Sequence, residues 1–163
     1  MSEREVLIRV ADFKVGRAGD ALITLGLGSC VAILLFDPGE KIGGLAHIML
    51  PSRSAAGRQR DNPATFPQTA VPAVLAEMGL LGADRRRINA RLVGGASMFA
   101  SLAPPGTIQM GERNLASCRE VLHHQGIPVI GEAVGGDFGR SVRFSVESGV
   151  VQIRSVAHGE QRL

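Results

Sequence analysis

The chain has 163 residues, 45% of them hydrophobic and 20% charged, and 18 basic side chains against 15 acids leave a net charge of +3. A chain of this length fits one domain with one core, because such a domain buries roughly 70% of the surface its unfolded chain exposes. The basic excess is mild, spread along the chain and not interleaved with aromatics, which argues against a nucleic-acid binder. The opening "MSEREVLIRV" lacks the apolar core of a signal peptide, and no apolar run approaches the roughly 20 residues that span a bilayer. Two cysteines without a secretion signal point to reduced thiols in the cytoplasm.

In chain order, Val6, Ile8 and Val10 alternate as in a strand, and "ALITL" and "SCVAILLFD" follow as short apolar runs. "DPGEK" (37–41) supplies a turn, and "IGGLAHIML" returns as a strand, making a hairpin with Cys30 on one arm and His47 on the other. From Pro51 to Pro67 the chain reads as a long polar surface loop, either plainly flexible or a lid or partner-binding segment. A helix is expected from near Thr69 to Gly79 or Gly82, burying Val71, Val74, Leu75 and Met78, with Pro72 in its first turn. The basic run Arg85-Arg86-Arg87 is expected to cap that helix and its turn.

"INARLVGG" reads as a buried strand, and "GERNLASCREVLHHQGIP" as an amphipathic helix with Leu115, Cys118, Val121 and Leu122 on one face. "PVIGEAVGG", "RSVRFSV" and "VVQIRSV" are strands, the last two joined across "ESG", and the end of the chain reads as a polar tail. The glycine pairs at 43–44, 94–95 and 135–136 mark close backbone approach or positive φ. With no repeat and no linker, residues 1–163 form a single domain. By element order the fold class is α+β: two main helices packed on a mostly antiparallel or mixed sheet.

Chemistry concentrates in two cysteines and four histidines. Cys118 lies on an apolar helix stripe and reads as core; His123 and His124 sit at that helix's C-terminus, and His158 in the tail reads as solvated. No CxxC or HxxxH spacing suggests a metal site. Cys30 and His47 remain. By residue type alone they are either a small core hydrophobe and a satisfied histidine, or a nucleophile and its base brought together across paired strands. An imidazolium beside Cys30 would lower the thiol's pKa below its ordinary value of about 8.5.

"TLGLGSCVAILLFDP" followed by "KIGGLAHIMLP" closely resembles CheD, the chemoreceptor glutamine deamidase family of chemotaxis. The resemblance continues through "GGASMF", "MGERN", "GIPVIGEAVGGDFGRSVRF" and "ESGVVQIRS", in order and over almost the whole chain. It implies a layered α/β sandwich, similar to the catalytic domain of the deamidating cytotoxic necrotizing factor toxins. It also implies a cysteine nucleophile at Cys30, a histidine base at His47 and an orienting threonine at Thr24, with backbone donors near Gly28 and Ser29 for the oxyanion. No cofactor or metal is called for. The implied partners are the cytoplasmic helices of chemoreceptors and a CheC-type phosphatase. A binding module regulating that phosphatase, with its triad idle, is the main rival; a cysteine peptidase is a third reading. One stretch departs from the family: "NPATFPQTA" stands where a "KYxD"-like segment is expected before "TAVP".

Overall fold

The computed structural model describes residues 2–53 and 62–163. It comprises β1 (Arg4–Leu7), β2 (Phe13–Arg17), β3 (Asp20–Leu27), β4 (Val31–Asp37), β5 (Ile42–Ile48), α1 (Pro67–Leu80), β6 (Asn89–Gly94), α2 (Met110–His124), β7 (Val129–Val134), β8 (Arg140–Ser145), β9 (Val150–Ser155) and β10 (Gly159–Arg162). The strands form two five-stranded sheets, ordered β1-β3-β8-β9-β10 and β2-β5-β4-β6-β7. Each sheet has one parallel pair, β1 with β3 and β6 with β7, and is otherwise antiparallel. The expected α+β layering holds, but the strands make two mixed sheets instead of one.

Two cores follow from the alternation along β4. Ile33 and Leu35 pack toward the helices with Ala46, Ile48, Val74, Met78, Leu115 and Cys118. Ala32, Leu34 and Phe36 pack between the sheets with Leu22, Leu45, Val142 and Phe144. Strand β4 is therefore buried on both faces, which is why "VAILLF" is an unbroken apolar run and not an alternating one. The order is helices, sheet, sheet, and among the described residues no helix covers the outer face of the β8 sheet, where β8 alternates buried and half-exposed. At Gly43–Gly44 both faces are crowded: a Cβ on Gly43 would stand 2.8 Å from Phe144, and one on Gly44 2.4 Å from Val74.

The predicted hairpin forms with Ala32 opposite His47 and Leu34 opposite Leu45. Several expectations need correction. The first strand ends at Leu7, and β2 was not foreseen because Gly16 and two basic residues break its apolar pattern. Helix α1 starts at Pro67, two residues early, so Pro72 lies inside it and not in its first turn. Within the expected loop, Ala64, Thr65 and Phe66 are buried, and residues 54–61 lie outside the described residues. The run Arg85–Arg87 does not cap α1. Arg87 pairs with the buried carboxylate of Asp37 at 2.8 Å, Arg86 with Asp84, and Arg85 donates to the Gln125 carbonyl that ends α2. The tail forms β10, because Gly159–Arg162 pair with β9.

Candidate active site

Strand β3 carries Thr24 on the inner face of its sheet, and a bulge follows at once. Its register with β8 shifts between Thr24 and Leu27, and Gly26 sits at φ +67°. The bulge turns both Thr24 and Leu27 inward while Leu25 and Gly26 face out, and it needs a glycine at the left-handed position. The next three residues, Gly28 to Cys30, form the turn into β4, so Cys30 stands just before that strand and not within it.

Register places the pair. His47 faces Ala32, so Cys30, two residues earlier, lies on the same face, diagonal to His47 and not directly opposite. That face looks toward the other sheet, where Thr24 waits. The Thr24 hydroxyl lies 2.7 Å from His47 Nδ1 and donates to the Ile8 carbonyl, also at 2.7 Å. Thr24 is fully buried and His47 is 1% exposed, so water does not compete.

The proton count fixes the tautomer. A threonine hydroxyl has one hydrogen, and here it goes to the Ile8 carbonyl. The oxygen can then only accept from His47, so Nδ1 carries the ring proton and Nε2 is the bare base. Nε2 is buried and has no hydrogen-bond partner among the described residues. Burial lowers the His47 pKa from 6.5 to about 4 and raises that of half-buried Cys30. At rest both groups are therefore neutral. The imidazolium-lowered thiol expected from sequence is not what this environment favours, because burial penalises both charged forms.

The main chain of His47 is held as firmly as its ring. Its N–H donates to the Asp12 carbonyl at 3.0 Å, and its carbonyl accepts from Ala11 N–H at 2.9 Å. Ala11 takes φ +62° to make this turn, a conformation that costs a non-glycine residue roughly 1–2 kcal/mol.

The nucleophile turn is pinned through its carbonyls. Gly28 O accepts from Ala96 N–H and Cys30 O from Gly95 N–H, both at 2.8 Å. Ser29 O accepts from Asn114 Nδ2 at 2.8 Å, and the same amide reaches Met49 O at 3.2 Å. A planar trans peptide points its N–H opposite its carbonyl. With the carbonyls of Gly28 and Ser29 tied down, the N–H groups of Ser29 and Cys30 face the other way; no backbone carbonyl among the described residues accepts from them, and the Cys30 N–H lies against its own sulfur. Two glycines permit this approach. A Cβ on Gly94 would stand 2.3 Å from the Cys30 carbonyl oxygen, and one on Gly111 2.3 Å from the Ala96 carbonyl. A cleft opens beside Ser29, lined by Ala96, Ser97, Met98, Gln109 and Met110.

The structure thus groups Thr24, His47, Cys30, Gly28 and Ser29 at one end of the sheet interface. Cys118 lies apart, fully buried under α2, where burial raises its pKa strongly. Asn114 escaped the sequence reading, although it stands four residues before Cys118 on the apolar stripe, where a polar residue is a signal. Ile8, Ala11 and Asp12 had no signal; their backbone groups act, not their side chains.

The family model "CheD chemotactic sensory transduction" matches residues 49–155. Over 159 residues the chain is 44% identical to the "Probable chemoreceptor glutamine deamidase CheD" of Clostridium novyi, covering 98% of each protein. This chain belongs to the CheD family. A second CheD relative, from Desulforamulus reducens, carries the same name and is 41% identical, covering 93% of this chain and 91% of its own. Among solved structures, a Neisseria meningitidis protein of the DUF152 family shares the fold at a TM-score of 0.51 and 13% identity, over 83% of this chain and 63% of its own. The family model's match begins at Met49, beyond Thr24, Cys30 and His47, so what these three do in this CheD chain rests on their geometry. No helix among the described residues is long and apolar enough to cross a membrane.

Proposed function

We propose that this CheD chain is a protein-glutamine deamidase that converts chemoreceptor glutamines to glutamates in the cytoplasm, with Cys30, His47 and Thr24 as its catalytic group. The name of the curated relatives supplies the substrate class. The observation that carries the mechanism is the Thr24 hydroxyl, which fixes His47 as the Nδ1–H tautomer and leaves a dry, bare Nε2 on the face that Cys30 shares.

The substrate carboxamide enters beside Ser29. Cys30 Sγ attacks its carbon while the thiol proton passes to Nε2, so no ion pair is needed beforehand. The oxyanion is met by the N–H groups of Ser29 and Cys30, whose direction the tied carbonyls already fix, which limits reorganisation during reaction. Collapse breaks the C–N bond; the leaving nitrogen takes the proton from Nε2 and departs as ammonia. Water then attacks the thioester and gives a proton to Nε2. The C–S bond breaks, the thiolate recovers that proton, and glutamate is released. Thr24 holds the imidazolium that forms twice in this cycle. Being neutral, it stabilises that charge less than an aspartate would.

Purified protein incubated with receptor cytoplasmic fragments should release ammonia and leave Glu in place of Gln at discrete sites, read by mass spectrometry. Cleaved peptide bonds would indicate a peptidase instead, and an unchanged fragment would refute both.

A further inference from the structure

The β8 sheet carries a second unusual side chain at the same end of the molecule. Arg140 opens β8 and pairs with Leu27, three residues before Cys30. It shares the inner face of that strand with Val142 and Phe144, which lie in the core between the sheets. The residue as a whole is 7% exposed, yet no carboxylate forms an ion pair with its guanidinium among the described residues. One donor, Nη1, reaches the Gly135 carbonyl at 2.8 Å, and Cζ lies 4.2 Å from the centre of the Phe138 ring. Burying an unpaired charge is costly, so a cation kept in this state asks for a partner from outside. Arg91, the other buried arginine among the described residues, is differently placed, with Nη1 donating to two carbonyls, those of Gly149 and Leu163.

Arg140 lines an open groove together with Gly26, Met98, Asp137, Phe138 and Arg154. The groove borders the nucleophile turn. Gly26 lies two residues before Gly28, and Met98 Sδ lies 3.0 Å from where a Cβ on Gly28 would stand. Within the groove Arg154 is already paired with Glu160 at 3.3 Å, and no ion pair joins exposed Asp137 to Arg140. One largely buried guanidinium, set over a ring with donors to spare, suits one carboxylate bound through two parallel N–H bonds. A dianionic phosphate would want a second free cation.

We propose that this groove is a subsite for a carboxylate side chain of the protein substrate, seated on Arg140 while a nearby glutamine reaches Cys30. The proposal rests on the deamidase reading and names a feature of its substrate. Arg140 lies one strand spacing from Leu27, and Leu27 lies three residues from Cys30, so the acid stands about one to two turns along a substrate helix from the target glutamine. Each reaction produces a carboxylate, so a finished site becomes a ligand that directs the enzyme to the next glutamine along.

The test uses helical peptides with one glutamine and either Glu or Met four or seven residues away on either side. Binding to the Cys30→Ala protein is measured by fluorescence anisotropy, and turnover by the wild type by mass spectrometry. At least one Glu placement should bind about tenfold more tightly than its Met counterpart. That preference should vanish when Arg140→Gln is added and survive in part with Arg140→Lys. Equal affinities for every Glu and Met pair overturn the subsite, and this comparison decides even if the Arg140 variants do not fold. A preference that persists in folded Arg140→Gln protein overturns it as well. Turnover without any Glu preference leaves the deamidase standing and removes the subsite; a preference without turnover removes the deamidase and leaves the subsite.

Discussion

Replacing Thr24 with Val keeps the shape of the side chain and deletes one oxygen that serves two groups. The Nδ1–H of His47 and the Ile8 carbonyl each lose a partner at 2.7 Å, in a place where Thr24 is 0% and His47 1% exposed. An orphaned buried polar group costs roughly 1–3 kcal/mol, and for a protein of this size each kcal/mol lowers Tm by about 2–4 °C, so a fall of several degrees is expected. A merely structural threonine would do that much. The catalytic account adds a second effect. Without its acceptor the ring is free to tilt or to adopt the Nε2–H tautomer, which cannot take a proton from Cys30. Turnover at saturating substrate should drop about ten- to a hundredfold, corresponding to roughly 1.4–2.8 kcal/mol on the barrier. Thr24→Ser, which restores the hydroxyl, should recover most of the rate even though it removes a packed methyl. The assay is steady-state ammonia release beside thermal unfolding for all three proteins. A Thr24→Val protein that melts early but turns over at the wild-type kcat would refute the orienting role.

Removing Asn114 should matter although it touches no substrate: Asn114→Ala frees the Ser29 and Met49 carbonyls, so kcat should fall about tenfold or more with KM little changed, as kinetics over a full substrate range would reveal. The folded pKa of His47, about 4, lies below its ordinary 6.5, so the folded state binds this proton less readily than the unfolded one. Stability is then full above about pH 6.5 and declines as pH falls toward 4, by roughly 3 kcal/mol. Urea melts of wild type and His47→Gln across that window check this, since an equal decline in both would remove His47 as the cause. Cys30 should be alkylated before Cys118, whose burial is complete, yet with a pH midpoint at or above that of a free thiol. A midpoint well below the ordinary thiol range would mean that a thiolate–imidazolium pair exists at rest.

Much of this site was legible in the residues, and the reasons are specific. "SCVAILLFDP" and "KIGGLAHIML" announce a hairpin because apolar runs flank a Pro-Gly turn, and that hairpin brings His47 onto the same face as Cys30. The resemblance to CheD singled out Thr24, which periodicity alone treats as any strand residue. What stayed hidden is mostly long-range and backbone-mediated. Nothing local tells that β3 and β5 belong to different sheets facing one another, yet this places the threonine hydroxyl on the histidine ring. The clamp on His47 comes from the main chain of Ala11 and Asp12, and the pinning of the nucleophile turn from Gly95 and Ala96. Backbone donors leave no trace in residue type. The charge state of the pair is hard to read from sequence for a related reason: a cysteine beside a histidine suggests an ion pair, but burial pushes both toward the neutral form, and the sequence does not display burial.

The central claim is that Cys30 is the nucleophile of a glutamine deamidation. Wild type and Cys30→Ala protein, incubated in parallel with the same receptor cytoplasmic fragments, should be compared site by site by mass spectrometry after matched folding and stability have been verified. The account predicts Gln-to-Glu conversion with the wild type and none above the no-enzyme control with Cys30→Ala. Conversion by Cys30→Ala at the wild-type rate would contradict it.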